Sequence, residues 1–216
     1  MKKTGRYKAS GIETECEPGS RGKVLKNLLS IKNKQELEQY EMNALHQAED
    51  VFFRTLYDKN HKFAVKDISK IHEIWLGKLY SWAGKYRNVE LIKGNFRFAS
   101  AIHIPKLMEG FEKDYLQVHT PCTFTSKNRV IQALAEVHAE LILIHPFREG
   151  NGRVARTLST IMALQAGFPI LNFGLIRGRK MKEYIAAIHA SLDKNYKLMK
   201  KLFGEILRRT ISSHQA

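Results

Sequence analysis

Two apolar helical runs, Leu134–Ile144 and Val154–Gln165, are joined by a short polar stretch that neither can absorb: His145-Pro146-Phe147-Arg148-Glu149-Gly150-Asn151-Gly152-Arg153. Pro146 ends the first run near His145, because its ring blocks continuation and restricts the residue before it. Gly150-Asn151-Gly152 falls at the start of the second run. There the backbone N–H groups have no intrahelical partner and the helix dipole favours anions. The pattern fixes a helix-loop-helix turn and puts a phosphate-sized anion site at its second helix.

The residue types in the turn agree with that chemistry. Gly150 and Gly152 let backbone approach a ligand closely. Asn151 is short, tolerates unusual backbone angles and can donate to a phosphate oxygen. Arg153 and Arg156 are three apart, share a helix face and present planar forks that suit phosphate. Glu149 is a hard oxygen ligand suited to Mg2+ beside phosphates. His145, with an ordinary pKa of ~6.5, can take a proton near neutrality. Phe147 reads as the anchor of the loop. Singly, each residue fits a basic loop with a surface histidine; together they read as a phosphate-transfer site.

The run His145-x-Phe147-x-Glu149-Gly150-Asn151-Gly152-Arg153-x-x-Arg156 resembles the motif of the Fic-domain (Fido) family, in its cell-filamentation-protein-like bacterial branch of protein adenylyltransferases. Ser81-Trp82-Ala83-Gly84-Lys85-Tyr86-Arg87 is similar to the family's Trp-Ala-Gly-x-x-Arg segment, and Lys93-Gly94-Asn95-Phe96-Arg97-Phe98 to its flap hairpin. The likeness spans about residues 65–205. It implies the Fic fold and the transfer of AMP from Mg-ATP to a Tyr, Thr or Ser hydroxyl of a target protein. It also implies His145 as general base, Glu149 as the Mg2+ ligand, and Gly150, Asn151 and Gly152 as an anion hole. Arg153 and Arg156 would then contact the outer phosphates. The flap residues Lys93, Gly94, Asn95 and Phe96, and Tyr184 at an adenine pocket, complete the nucleotide-binding set. For Tyr184 and for Asn195-Tyr196, a core or surface role is an equal reading.

Two alternatives stay open. The same fold can transfer UMP or phosphocholine, although Gly152 stands where the kinase-like branch carries Lys. A non-catalytic basic module would have no use for His145 and Glu149 together.

The net charge of +15 is spread along the chain rather than gathered with aromatic or zinc-finger spacing. It fits ATP or an acidic target surface better than direct nucleic-acid recognition. Cys16 and Cys122 form no motif. No apolar run approaches membrane-spanning length, and Met1–Ser20 lacks an apolar signal core. A cytoplasmic setting is the expectation, with secretion lacking a cleaved signal left open.

The chain reads as all-α: a helical bundle around the helix-loop-helix turn with one small hairpin. A polar, mobile extension covers 1–30 and a single helical domain 31–216. Helices are expected over Gln35–Leu56, from an N-cap at Asp67, from Pro105 to Gln117, from Ser126 to Ile144, over Met181–Leu192 and over Lys197–Ile211. Residues 88–99 alternate around a turn, and a target segment is expected to add to this flap at about 89–99. His72 and His138 read as structural.

Many proteins of the resembled family are restrained by a Ser/Thr-x-x-x-Glu-Gly/Asn helix. Here only Ser69 has Glu four residues on, and Ile74 follows Glu73. The resemblance therefore leaves two readings: a separate inhibitory protein supplies that helix, as in toxin-antitoxin pairs, or the enzyme is controlled in another way.

Overall fold

The computed structural model describes residues 3–4, 7–10, 12–55 and 58–215. The elements in order are β1 (Lys3–Thr4), β2 (Tyr7–Ser10), α1 (Lys34–Thr55), α2 (Val65–Leu76), β3 (Glu90–Lys93), β4 (Phe96–Arg97), α3 (Ile104–Phe111), α4 (Gln117–His119), α5 (Lys127–Ile144), α6 (Asn151–Gln165), α7 (Arg179–Ser191) and α8 (Lys197–Gln215). A π-helical stretch, Glu112–Leu116, joins α3 to α4. Most of the described residues are helical. Among them, no helix is long and apolar enough to cross a membrane.

The chain divides into two compact units. The first contains residues 1–52, 65–109 and 144–151. Its core includes Phe52, Ile68, Ile71, Trp75, Leu76, Leu79 and Leu91, all essentially buried. On α2, Ile68, Ile71, Trp75 and Leu76 recur at helical spacing and form one apolar face. The Trp75 indole donates to the Glu41 carbonyl at 2.9 Å and the Tyr80 hydroxyl to the Glu41 carboxylate at 3.0 Å.

The hairpin forms as expected. Lys93 pairs with Phe96 across Gly94-Asn95, and Gly94, at φ +61°, supplies the left-handed first turn position. The sheet is larger than one hairpin. Strand β2 runs antiparallel to β3, with Lys8 opposite Ile92 and Ser10 opposite Glu90, giving the order β1-β2-β3-β4. Strand β2, Tyr7-Lys8-Ala9-Ser10, alternates over only four residues, too few to mark a strand among charged neighbours.

The expected mobile stretch also needs correction where side chains are described. Val24 is 1% exposed. The buried Asn27 amide donates to the Leu25 and Ile31 carbonyls and accepts from the Ile31 N–H, so one side chain satisfies a loop that its composition made look unstructured. Residues 1, 2, 5, 6 and 11 of that stretch, and Leu56 of the first expected helix, lie outside the described residues. Asp67 sits inside the first turn of α2 rather than at its cap.

The second unit contains residues 53–64, 110–143 and 152–216. Val130, Ala133, Leu134, Val137 and Leu141 form the buried face of α5 at spacings of three and four. Leu158, Ile161 and Met162 of α6 and Leu202, Phe203 and Ile206 of α8 are buried in the same unit. The Gln165 side chain pins the 58–61 turn through the Asp58 and His61 carbonyls and accepts the Cys122 N–H.

Candidate active site

The loop that carries the motif begins where α5 ends. His145 adopts φ +54°, the left-handed conformation that closes many helices and is normally taken by Gly or Asn. It is 4% exposed, and its ring stacks on Phe98 at 3.7 Å between centroids. Phe98 in turn meets Phe96 of β4 edge-on at 5.1 Å. The expected base is thus packed against the foot of the hairpin, whose tip residues Lys93, Gly94 and Asn95 are exposed.

Arg87 holds the bend. Its guanidinium is 2% exposed and donates to the His145 carbonyl at 2.8 Å and to the Val89 and Ala99 carbonyls at 2.6 Å. Its backbone N–H donates to the Pro146 carbonyl at 2.8 Å. Burial pushes its pKa down to about 10, against the raising effect of Glu90 and Glu13, so it stays charged at neutral pH.

The remainder of the loop is braced from inside. The Asn151 amide accepts from the Phe147 N–H at 2.8 Å and donates to the Phe147 carbonyl at 2.7 Å. The expected phosphate donor therefore spends its side chain closing the loop, because a turn this tight must find partners for its own backbone. Phe147 is fully buried, as expected of an anchor, and stacks on His72 at 4.0 Å with planes 4° apart. His72 accepts the Gly84 N–H at Nδ1, so Nε2 carries the proton and donates to the Glu149 carbonyl at 3.1 Å. Gly150, at φ +85°, lies against Trp75: a Cβ there would come within 2.6 Å of the indole. Arg148 is 1% exposed and donates to the Glu13 carbonyl at 3.0 Å. The Glu149 carboxylate is half-buried and accepts the Gly150 N–H at 3.2 Å.

Helix α6 starts at Asn151, three residues before the apolar run that announced it. In the second unit, Gly152, Arg153 and Arg156 occupy its first turns, each partly exposed. His138 is 1% exposed. Burial first, then the charge of Arg156, push its pKa down to about 3. Its Nδ1 faces the Ala155 carbonyl and Ser159 hydroxyl, and its Nε2 lies 2.9 Å from the Tyr184 hydroxyl. Burial pushes the Tyr184 phenol up to about 12. The Tyr184 hydroxyl is thus engaged by His138 within the second unit.

Sequence reasoning did not single out Arg87, Arg148 or Phe98. Arg87 and Phe98 stood inside the two quoted family-like segments, so a signal was present; Arg148 occupies a free position of the motif, and nothing in the sequence marked it.

The Fic/DOC family model matches residues 62–163. The chain is similar to the protein adenylyltransferase VbhT of Bartonella schoenbuchensis, 33% identical over 147 residues, 68% of this chain and 30% of that protein. It is also similar to a protein adenylyltransferase Fic of Nematostella vectensis, 26% identical over 200 residues, 89% of this chain and 44% of that protein. The chain thus spans less than half the length of either relative. A solved N-terminal Fic domain of a VirB-translocated Bep effector from Bartonella quintana, with bound ADP, is 27% identical at a TM-score of 0.67, covering 84% of this chain and 89% of that one. Through the segment 62–163, the chain belongs to the Fic/DOC family.

Proposed function

We propose that this protein transfers AMP from Mg-ATP to a hydroxyl side chain of a target protein. The observation that carries the reading is the motif loop itself: a nearly buried histidine held at a left-handed bend, followed directly by a glycine-flanked helix start and two arginines. The naming of two relatives as protein adenylyltransferases, and the ADP bound in a similar domain, support it.

In this reading His145 removes the proton of the target hydroxyl as its oxygen bonds to the α-phosphorus of ATP. The bond to the bridging oxygen breaks and pyrophosphate leaves. The N–H groups at the start of α6, with Arg153 and Arg156, stabilise the charge on the phosphates. Gly152 leaves the helix start open: among the described residues, nothing outside its chain neighbours and its own helix backbone lies within 4 Å of where a Cβ would sit. Glu149 would hold Mg2+, which supplies charge neutralisation on the phosphates. One carboxylate suits this ion, which characteristically binds through one or two carboxylates plus phosphates and waters.

We place target docking on the flap. Strand β2 already pairs with β3, so the flap's open edge among the described residues is β4, which ends directly before Phe98 of the Phe98–His145 stack. A separate inhibitory protein and a cytoplasmic setting belong to the same reading.

The test is incubation of the purified chain with labelled ATP, Mg2+ and cell lysate, followed by mass spectrometry for added AMP, with labelled UTP in parallel. Label from ATP on a protein hydroxyl, lost in His145→Ala, is the expected result. Transfer from UTP alone, or none with either nucleotide, would overturn the assignment.

A further inference from the structure

Arg87 donates to backbone carbonyls, and its donors converge on one place. Three carbonyls receive it at 2.6–2.8 Å: His145 at the bend, Val89 just before β3 and Ala99 just after β4. A fourth, Ile144 at the end of α5, lies at 3.5 Å. These carbonyls have two origins. Ile144 and His145 are helix-end acceptors left without intrahelical partners, where a cation is also favoured by the dipole. Val89 and Ala99 are the two legs of the hairpin. One planar fork therefore ties both legs of the flap to the backbone that aims the imidazole. The hairpin returns the contact through Phe98, whose ring lies on His145 and whose N–H donates to the Leu91 carbonyl at 3.2 Å.

We propose that Arg87 is a positioning residue for the transfer reaction: it fixes the direction of the His145 imidazole relative to the flap strand on which the target is presented. This rests on the functional reading above. Lys cannot replace it, because an ammonium offers a point charge where the geometry uses a rigid fork. The left-handed backbone of His145 makes the requirement sharper, since a non-glycine residue keeps that conformation only when its surroundings impose it.

The experiment compares wild type with Arg87→Lys and Arg87→Ala in the full chain. The expectation for Arg87→Lys is a kcat lower by ~10- to 100-fold, the scale of a misplacement near 1 Å, with KM for ATP within about twofold. Guanidinium ion added to folded Arg87→Ala should restore part of kcat and leave wild type unchanged. The His145 ring protons are read by NMR alongside. Ring-current shifts from Phe98 should be present in wild type and reduced in Arg87→Lys. This readout needs no turnover, so a wild type that transfers no AMP would sink the functional reading while the NMR comparison still judges Arg87. Wild-type kcat and unmoved ring shifts in Arg87→Lys would overturn the proposal. So would a lysine variant that unfolds outright, combined with an alanine variant that guanidinium does not rescue, which would leave Arg87 a purely structural role.

Discussion

Phe98 lies nearly parallel to the imidazole of His145, 3.7 Å away between centroids and tilted by 22°. The phenylalanine belongs to a small buried cluster with Val89 and Leu91 and is itself 7% exposed. A stacked ring limits imidazole rotation without engaging either nitrogen. Phe98→Leu keeps most of the buried volume, so it should cost less than ~1.5 kcal/mol of stability. Transfer should nevertheless slow by about tenfold or more, because the base loses its fixed direction. Steady-state kinetics with a denaturant titration check this; an unchanged rate would mean that the stack is packing alone.

Gly150 meets Trp75 in a way that leaves no room for substitution. A Cβ would sit 2.6 Å from the indole, at a residue with φ +85°. Overpacking of this kind costs ~1–3 kcal/mol, and the left-handed conformation adds ~1–2 kcal/mol for a non-glycine residue. Gly150→Ala should therefore lower Tm by about 5 °C or more. Adding Trp75→Phe should relieve the clash but not the backbone cost, so the double variant should be less destabilised than the sum of the singles. Strict additivity in a thermal-melt cycle would refute the contact as the cause.

Much of this site was legible because its chemistry is local. The helix end at Pro146, the helix start at Gly150-Gly152 and the arginine pair at 153 and 156 follow from residues within a few positions of one another. What escaped were long-range partners. Nothing near Arg87 reveals that its acceptors are the His145 carbonyl and the two legs of a hairpin, and Arg148 reaches back to Glu13, 135 residues earlier. The strand β2 was hidden for a different reason: its alternation covers only four residues, and its partner β3 lies far later in the chain, Lys8 pairing with Ile92. Asn151 shows the limit of reasoning from residue type. An amide suited to binding phosphate is equally suited to closing its own loop, and the backbone needs of the Phe147 turn won.

His138 gives a pH dependence that needs no ligand. Its folded pKa, about 3, lies below the ordinary value of 6.5. Between these values the unfolded chain binds the proton and the folded chain does not, so stability is held above pH 6.5 and falls as the pH drops toward 3. The slope from this one group is at most about 1.4 kcal/mol per pH unit. His138→Gln keeps a polar partner for Tyr184 and cannot be protonated. Urea midpoints measured from pH 7 to pH 4 should fall less steeply in the variant than in the wild type. Parallel slopes would show that His138 is not a source of acid lability.

Arg156, the second arginine of the motif, is where we expect the activity to be restrained. The 216 residues hold no Ser/Thr-x-x-x-Glu-Gly/Asn sequence, so an inhibitory carboxylate would come from outside them, and we expect it on a separate protein. A guanidinium fork engaged by a carboxylate cannot also serve a phosphate. Such a partner should therefore raise the apparent KM for ATP, and the effect should vanish when its glutamate is changed to glutamine. The purified chain should modify a lysate protein, or itself, without any activating substitution. The checks are an ATP titration with and without a co-purified short protein carrying that sequence, and mass spectrometry of the chain alone. A chain that binds ATP normally yet stays silent across lysates would place the restraint in this polypeptide itself and refute a partner acting through Arg156.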